Sequence, residues 1–253
     1  MLEAEIRRQR EAKDILLMTH IVLGYPSFAE CRDVIASMVD AGVELMELQI
    51  PFSEPMADGP VILRVNQEAL ARGVRVAECL DLAQEMAAEF EIPFLLMTYY
   101  NVLLQYGVER FAERMRAGGI EGSIVPDLPP EEARLYLSAL DERALAPIFI
   151  FSPNTSDARM HYLVEHAKGF VYCVARKGVT GAETEFSASL ERYLARCRAA
   201  TSLPLAVGFG VREKADVDFL RGKADIAVVG TQTIRVLEEH GVGAVGAFIR
   251  SLR

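Results

Sequence analysis

Eight short runs of apolar, often β-branched residues punctuate the chain: ILLMTHIVL, ELMELQI, PFLLMTY, EGSIVP, APIFIF, FVYCVA, LPLAVGFG and ADIAVVG. Each is bounded by turn residues and too short for an ordinary helix, which marks it as a strand. Between them lie longer stretches in which apolar side chains recur every three or four residues, such as FAECRDVIASMVDAG, VAECLDLAQEMAAEF, VERFAERMRAGG and SASLERYLARCRAA, several closing on glycine. Strand and helix therefore alternate. Strands this continuously apolar suit a parallel sheet covered by helices. Eight such units in 253 residues predict an α/β protein, a single-domain (β/α)8 TIM barrel over 1–253, with MLEAEIRRQREA as an extra N-terminal helix. A doubly wound open sheet is the alternative arrangement of the same units.

Within ELMELQI the period of two puts Met46, Leu48 and Ile50 on one face and Leu45, Glu47 and Gln49 on the other. The second face looks into the barrel. A carboxylate there is costly to bury alone, so Glu47 calls for a partner or a task. Barrel chemistry sits at the C-terminal ends of the strands. The loop that follows this strand, PFSEPMADGP, adds Glu54 and Asp58 at that end. Further along, VGFGVREK follows the seventh strand and VVGTQTIRVL the eighth, the two places where barrels commonly hold phosphate on backbone N–H groups. Gly208, Gly210 and Gly230 allow close approach, and Thr231 adds a hydroxyl, although a helix N-cap is its plainer explanation. GVTG at 178–181 is placed to fold over the same anion as a mobile lid. The substrate class is a phosphorylated small molecule.

Apolar residues make up 51% of the chain, enough for a sizeable core, and the formal net charge is -9. That balance argues against nucleic acid or an anionic membrane surface as a partner. Cys31, Cys79, Cys173 and Cys197 are far apart with no CxxC pair, as expected of buried thiols in a reducing compartment. The apolar run after the N-terminal segment is broken by Thr19, His20 and Gly24, short of a membrane span or signal peptide. A cytoplasmic location is expected. His161, His166 and His240 lie in helical stretches without metal-ligand spacing and read as surface or packing residues.

With these loops in place, MELQIPFSEPMADGP, MTYYN, VPDLPPEE, RKGVTG and GFGV, in that order, resemble the corresponding segments of the tryptophan synthase alpha family over nearly the whole chain. The resemblance implies a lyase that cleaves indole-3-glycerol phosphate to indole and glyceraldehyde 3-phosphate. It implies no metal or organic cofactor for this step, and a beta subunit as partner. Carried over by position, Glu47 and Asp58 match the catalytic carboxylates and Tyr99 the third-strand tyrosine near them. Tyr172 and Phe209 match wall positions, Thr180 a loop residue that orders the aspartate, and Gly181, Gly210, Gly230 and Thr231 phosphate ligands. In a retro-aldol cleavage indole C3 gains a proton and the glycerol hydroxyl loses one. Glu47 suits a group that both gives and takes a proton. Asp58, on a loop nearer water, is expected to stay ionised and accept from the indole nitrogen. Asp127 matches a rim aspartate, not a catalyst.

Two departures stand out. Gln49 occupies a family glycine position and His20 a family phenylalanine position, and both are expected to narrow or polarise the ring pocket as substrate-binding residues. LRVNQE at 63–68 also differs from the family's usual segment. Glu44, at the start of its strand, and Glu54 are expected to be solvated. Besides the partnered lyase, two readings stay open: a stand-alone lyase acting on the same or a related aryl glycerol phosphate, and a non-catalytic phosphate-binding activator of a beta subunit.

Overall fold

Each of the eight apolar runs forms a parallel strand in the computed structural model, which describes residues 1–175, 188–208 and 210–253. The strands are β1 (Leu16–Val22), β2 (Leu45–Gln49), β3 (Phe94–Met97), β4 (Gly122–Ile124), β5 (Ala146–Phe151), β6 (Val171–Val174), β7 (Leu205–Gly208) and β8 (Ile226–Val229). They pair in sequence order, and β8 closes onto β1. Helix α1 (Leu2–Ala12) precedes the barrel and α2 (Phe28–Asp40) follows β1. α3 (Pro60–Ala71) and α4 (Val76–Glu89) follow β2, while α5 (Tyr100–Tyr106) and α6 (Val108–Ala117) follow β3. α7 (Arg134–Asp141), α8 (Asp157–His166), α9 (Ala188–Ala200) and α10 (Lys214–Leu220) follow β4 to β7 in turn. α11 (Thr231–His240) and α12 (Val242–Ser251) follow β8.

The alternation of side chains sorts the core into two apolar clusters. Leu16, Met18, Leu45, Leu95, Met97 and Ile124 point into the barrel, whereas Leu17, Ile21, Met46, Leu48 and Leu96 pack outward under the helices. Leu2 and Ile6 of α1 join the inner cluster with Ala146 and Phe170, which lie at or just before strand starts, so α1 closes the N-terminal end of the barrel. Burying each such side chain contributes about 1.5–3 kcal/mol. The opposite end stays open for chemistry.

Glu44 departs from expectation. It is buried, and accepts from Leu17 N at 2.7 Å, Lys13 Nζ at 2.5 Å and Arg253 Nη2 at 2.6 Å. The two chain ends converge on this strand start and bring their cations with them, a contact that local sequence does not reveal. All four cysteines are buried and free. Among the described residues no helix is long and apolar enough to cross a membrane.

Candidate active site

The register of β1 against β2 sets His20 directly beside Glu47. Both side chains point inward, so imidazole and carboxylate meet: His20 Nδ1 lies 3.2 Å from Glu47 Oε1. Both are almost wholly enclosed, His20 at 5% and Glu47 at 4% exposure. Burial works against a charged imidazole, but the charge and hydrogen bond of Glu47, the more distant charge of Asp58 and the amide of Gln49 outweigh it and raise His20 above its ordinary value.

Asp58 is reached by a loop that folds back over the barrel mouth. Phe52 N donates to Asn66 Oδ1 of α3 at 2.9 Å, which ties the start of the loop to the helix after it. Pro60 begins α3 at the position where a missing N–H costs nothing. Asp58 then comes to rest between two donors, Gln49 Nε2 at 2.8 Å and Tyr99 Oη at 3.0 Å, both on Oδ2. Oδ1 is left for the cavity. Tyr99 Oη also accepts from Ala57 N at 3.0 Å, and its ring stacks on Phe52.

Asp58 lies on the loop and is half-buried. Burial raises the Asp58 carboxyl above its ordinary range, while the charge of His20 and the bonds from Gln49 and Tyr99 pull the other way. Gln49 departs from expectation: it points inward, but it is fully buried beside Asp58 and is not among the residues that line the cavity. Its amide donates to the Asp58 carboxylate. Tyr99, likewise fully buried, stands behind Asp58.

A cavity of about 490 Å³ opens in front of these groups. His20, Glu47 and Asp58 line one side, and Gly208, Gly210, Gly230 and Thr231 line another. Met97, Ile124, Ile150, Tyr172 and Val228 supply an apolar wall between them. Gly230 caps α11; Thr233 N already donates to the Gly230 carbonyl at 3.0 Å, so of the first-turn N–H groups it is those of Thr231 and Gln232 that favour an anion. Gly210 has φ +98°, a conformation that other residues adopt only with strain. At Gly208 any Cβ would stand 2.8 Å from the Tyr172 hydroxyl, so glycine there makes room for the tyrosine wall.

Of the residues singled out from sequence, His20, Glu47, Asp58, Tyr172, Gly210, Gly230 and Thr231 converge on this cavity. Gln49 and Tyr99 act behind it. Thr180, Gly181, Phe209 and the expected lid at 178–181 lie outside the described residues. Asp127 accepts from Tyr100 N at 2.9 Å, at the start of α5. Sequence reading passed over Ile124, Ile150 and Ser152, although the inward positions at the C-terminal ends of β4 and β5 were the signal for them, and it missed Asn66, which holds the start of the Asp58 loop.

A closed parallel barrel with two carboxylates at its C-terminal mouth, across an apolar wall from glycine-lined loops and a helix N-terminus, defines the class: a (β/α)8 barrel with an acid–base site. Comparison with known proteins narrows this. The family model of the tryptophan synthase alpha chain matches residues 6–249. The tryptophan synthase alpha chain of Syntrophotalea carbinolica is 64% identical over 253 residues, with both chains covered completely. That of Desulforapulum autotrophicum is 62% identical over 252 residues, again with full coverage of both. A solved Mycobacterium tuberculosis tryptophan synthase superposes with a TM-score of 0.92 at 32% identity, covering 99% of this chain and 96% of that one. The chain belongs to the tryptophan synthase alpha-chain family.

Proposed function

We propose that this chain, working as one barrel domain in the cytoplasm, cleaves indole-3-glycerol phosphate with Glu47 and Asp58 as its working carboxylates. The observation that carries this reading is their convergence on one cavity with the Gly210 and Gly230 loops. The phosphate end docks on the N–H groups around Gly210, Gly230 and Thr231, and the ring lies along Met97, Ile124 and Ile150. Glu47 protonates indole C3, and Oδ1 of Asp58 takes the indole N–H as positive charge develops on the ring. The glycerol hydroxyl then returns a proton to Glu47 as the carbon–carbon bond breaks, releasing indole and glyceraldehyde 3-phosphate. The remaining predicted ligands, Thr180, Gly181 and Phe209, belong to the same proposal through the family resemblance.

The released indole passes to a beta subunit docked over the loop at 51–60 and over 100–106, which the structure forms as helix α5 where the sequence suggested a loop. Met56 and Leu104 there are 74% and 55% exposed, an apolar rim suited to a partner. A second reading, the stand-alone lyase, draws on Asp58 being held already by Gln49 and Tyr99 without any partner. Indole release from indole-3-glycerol phosphate, measured with and without a beta subunit, decides between them. The partnered reading expects strong stimulation and the stand-alone reading none; no indole under either condition overturns the lyase assignment for this chain.

A further inference from the structure

The pairing of His20 with Glu47 is not used by the mechanism above, although both line the cavity. It is fixed by strand register and so needs no loop or partner to form. Two of its polar atoms, His20 Nε2 and Glu47 Oε2, are buried with no hydrogen-bond partner among the described residues. A buried pair with unspent valences at the wall of a reaction cavity is poorly explained as packing, since a phenyl ring in place of the imidazole would fill the space without that desolvation.

We infer that His20 and Glu47 act as one proton-holding pair, in which His20 keeps the proton that Glu47 delivers to the substrate and receives back. The inference rests on the proposed lyase reading. In the resting state the pair carries one transferable proton between imidazole Nδ1 and carboxylate Oε1. It passes to indole C3, leaving neutral imidazole beside carboxylate and positive charge on the ring, which Asp58 faces. The electrons of the breaking carbon–carbon bond then return to the ring, the hydroxyl oxygen becomes the aldehyde oxygen, and the hydroxyl proton restores the pair. Nothing is oxidised, and the pair ends as it began.

The charged surroundings suit this role. Glu47 of β2 and Asp58 of the following loop are the two carboxylates that act on His20. β8, which pairs with β1 on its other side, places no ionisable residue in its Ile226–Val229 span. α3 and α11 also pack against β1, but Arg64, Glu68 and Glu238 of those helices pair with one another away from it. α11 turns Thr233 toward the His20 carbonyl, at 3.5 Å. Gly230, the cap of α11, comes close enough that a Cβ there would lie 3.5 Å from His20 Cβ, so the imidazole abuts the phosphate end of the cavity. His20 acts through Glu47 and is a positioning residue in this scheme.

The test compares His20→Phe, which removes the group, with His20→Gln, which can still hydrogen-bond to Glu47 but cannot carry a proton at neutral pH. Both are expected to fold, to keep KM for indole-3-glycerol phosphate within about threefold, and to lose about tenfold or more in kcat, with the basic limb of the kcat–pH profile moved to lower pH. Restoration of parental kcat and pH profile by His20→Gln makes the contact purely structural and overturns the inference; so does a parental profile in His20→Phe. If neither variant folds, imidazole NMR decides: His20 should stay charged above its ordinary 6.5 in the parent and lose that charge in Glu47→Gln, and either a neutral His20 above 6.5 in the parent or a charge that survives in Glu47→Gln overturns the inference. Glu47→Gln assayed in parallel separates the two levels. Full activity in that variant removes the lyase role of Glu47, whereas an inactive Glu47→Gln beside an unaltered His20→Phe removes only the pair.

Discussion

Gln49→Leu changes little volume at a wholly buried position and removes the side-chain amide, which bonds to Asp58 and also supports the charge of His20. The bond to Asp58 runs from Gln49 Nε2 to Asp58 Oδ2 at 2.8 Å. A hydrogen bond to a charged partner contributes about 1.5–3 kcal/mol. Tyr99 still holds the same oxygen at 3.0 Å, so the loss should fall at the low end, about 1.5 kcal/mol. If Asp58 works in its ionised, oriented form, that amount appears as about a tenfold fall in kcat/KM. The pH profile should move too. The Gln49 bond pulls the Asp58 carboxyl down against the burial that raises it. Without it the carboxyl rises further, and the acidic limb of kcat/KM shifts to higher pH. The assay is indole release from indole-3-glycerol phosphate across that limb. Parental kcat/KM with an unmoved limb would refute the reasoning. A tenfold gain, in this variant or in Gln49→Gly, would return Gln49 to the ring pocket that its inward direction first suggested.

Other expectations follow from the same geometry. Asp58→Asn should abolish cleavage without lowering Tm: a carboxyl raised on folding adds stability below its unfolded range that is lost as pH rises through the raised value, and the amide does not titrate. A clear drop in neutral-pH Tm would mark Asp58 as structural. Glu44→Ala should cost about 2 kcal/mol, because Lys13 and Arg253 reach solvent but the Leu17 N–H is left without its acceptor, and should lower Tm by about 4–8 °C with kcat unchanged; a thermal melt checks the first and the indole assay the second. Gly210→Val forces a branched side chain into φ +98° and should weaken inorganic phosphate binding while the far-ultraviolet spectrum stays parental, and unchanged phosphate affinity would move the anion site elsewhere.

What the sequence made legible was mostly what neighbours along the chain decide. Eight apolar runs and the helices between them define the barrel, and the period of two turns Glu47 and Gln49 inward, while the family resemblance set His20 at the ring pocket. Contacts across strands were out of reach. No local pattern says that β1 and β2 align so that His20 meets Glu47, or that Lys13 and Arg253 converge on Glu44. α3 and α5 were also hidden: seven residues give α5 no room for a period, and α3 starts inside a proline-rich loop whose turn signals masked the spacing of Val61, Val65 and Ala69. Nor does any local pattern show that Gln49 and Tyr99 converge on Asp58.

The central claim is that Glu47 moves the proton in a retro-aldol cleavage. Glu47→Gln keeps the size of the side chain and a hydrogen-bond partner for His20, but it cannot give and take a proton. Single-turnover indole release from bound indole-3-glycerol phosphate should fall at least a hundredfold, about 2.7 kcal/mol of barrier, while the affinity for glycerol phosphate stays parental. Indole release at the parental rate from that variant would contradict the account.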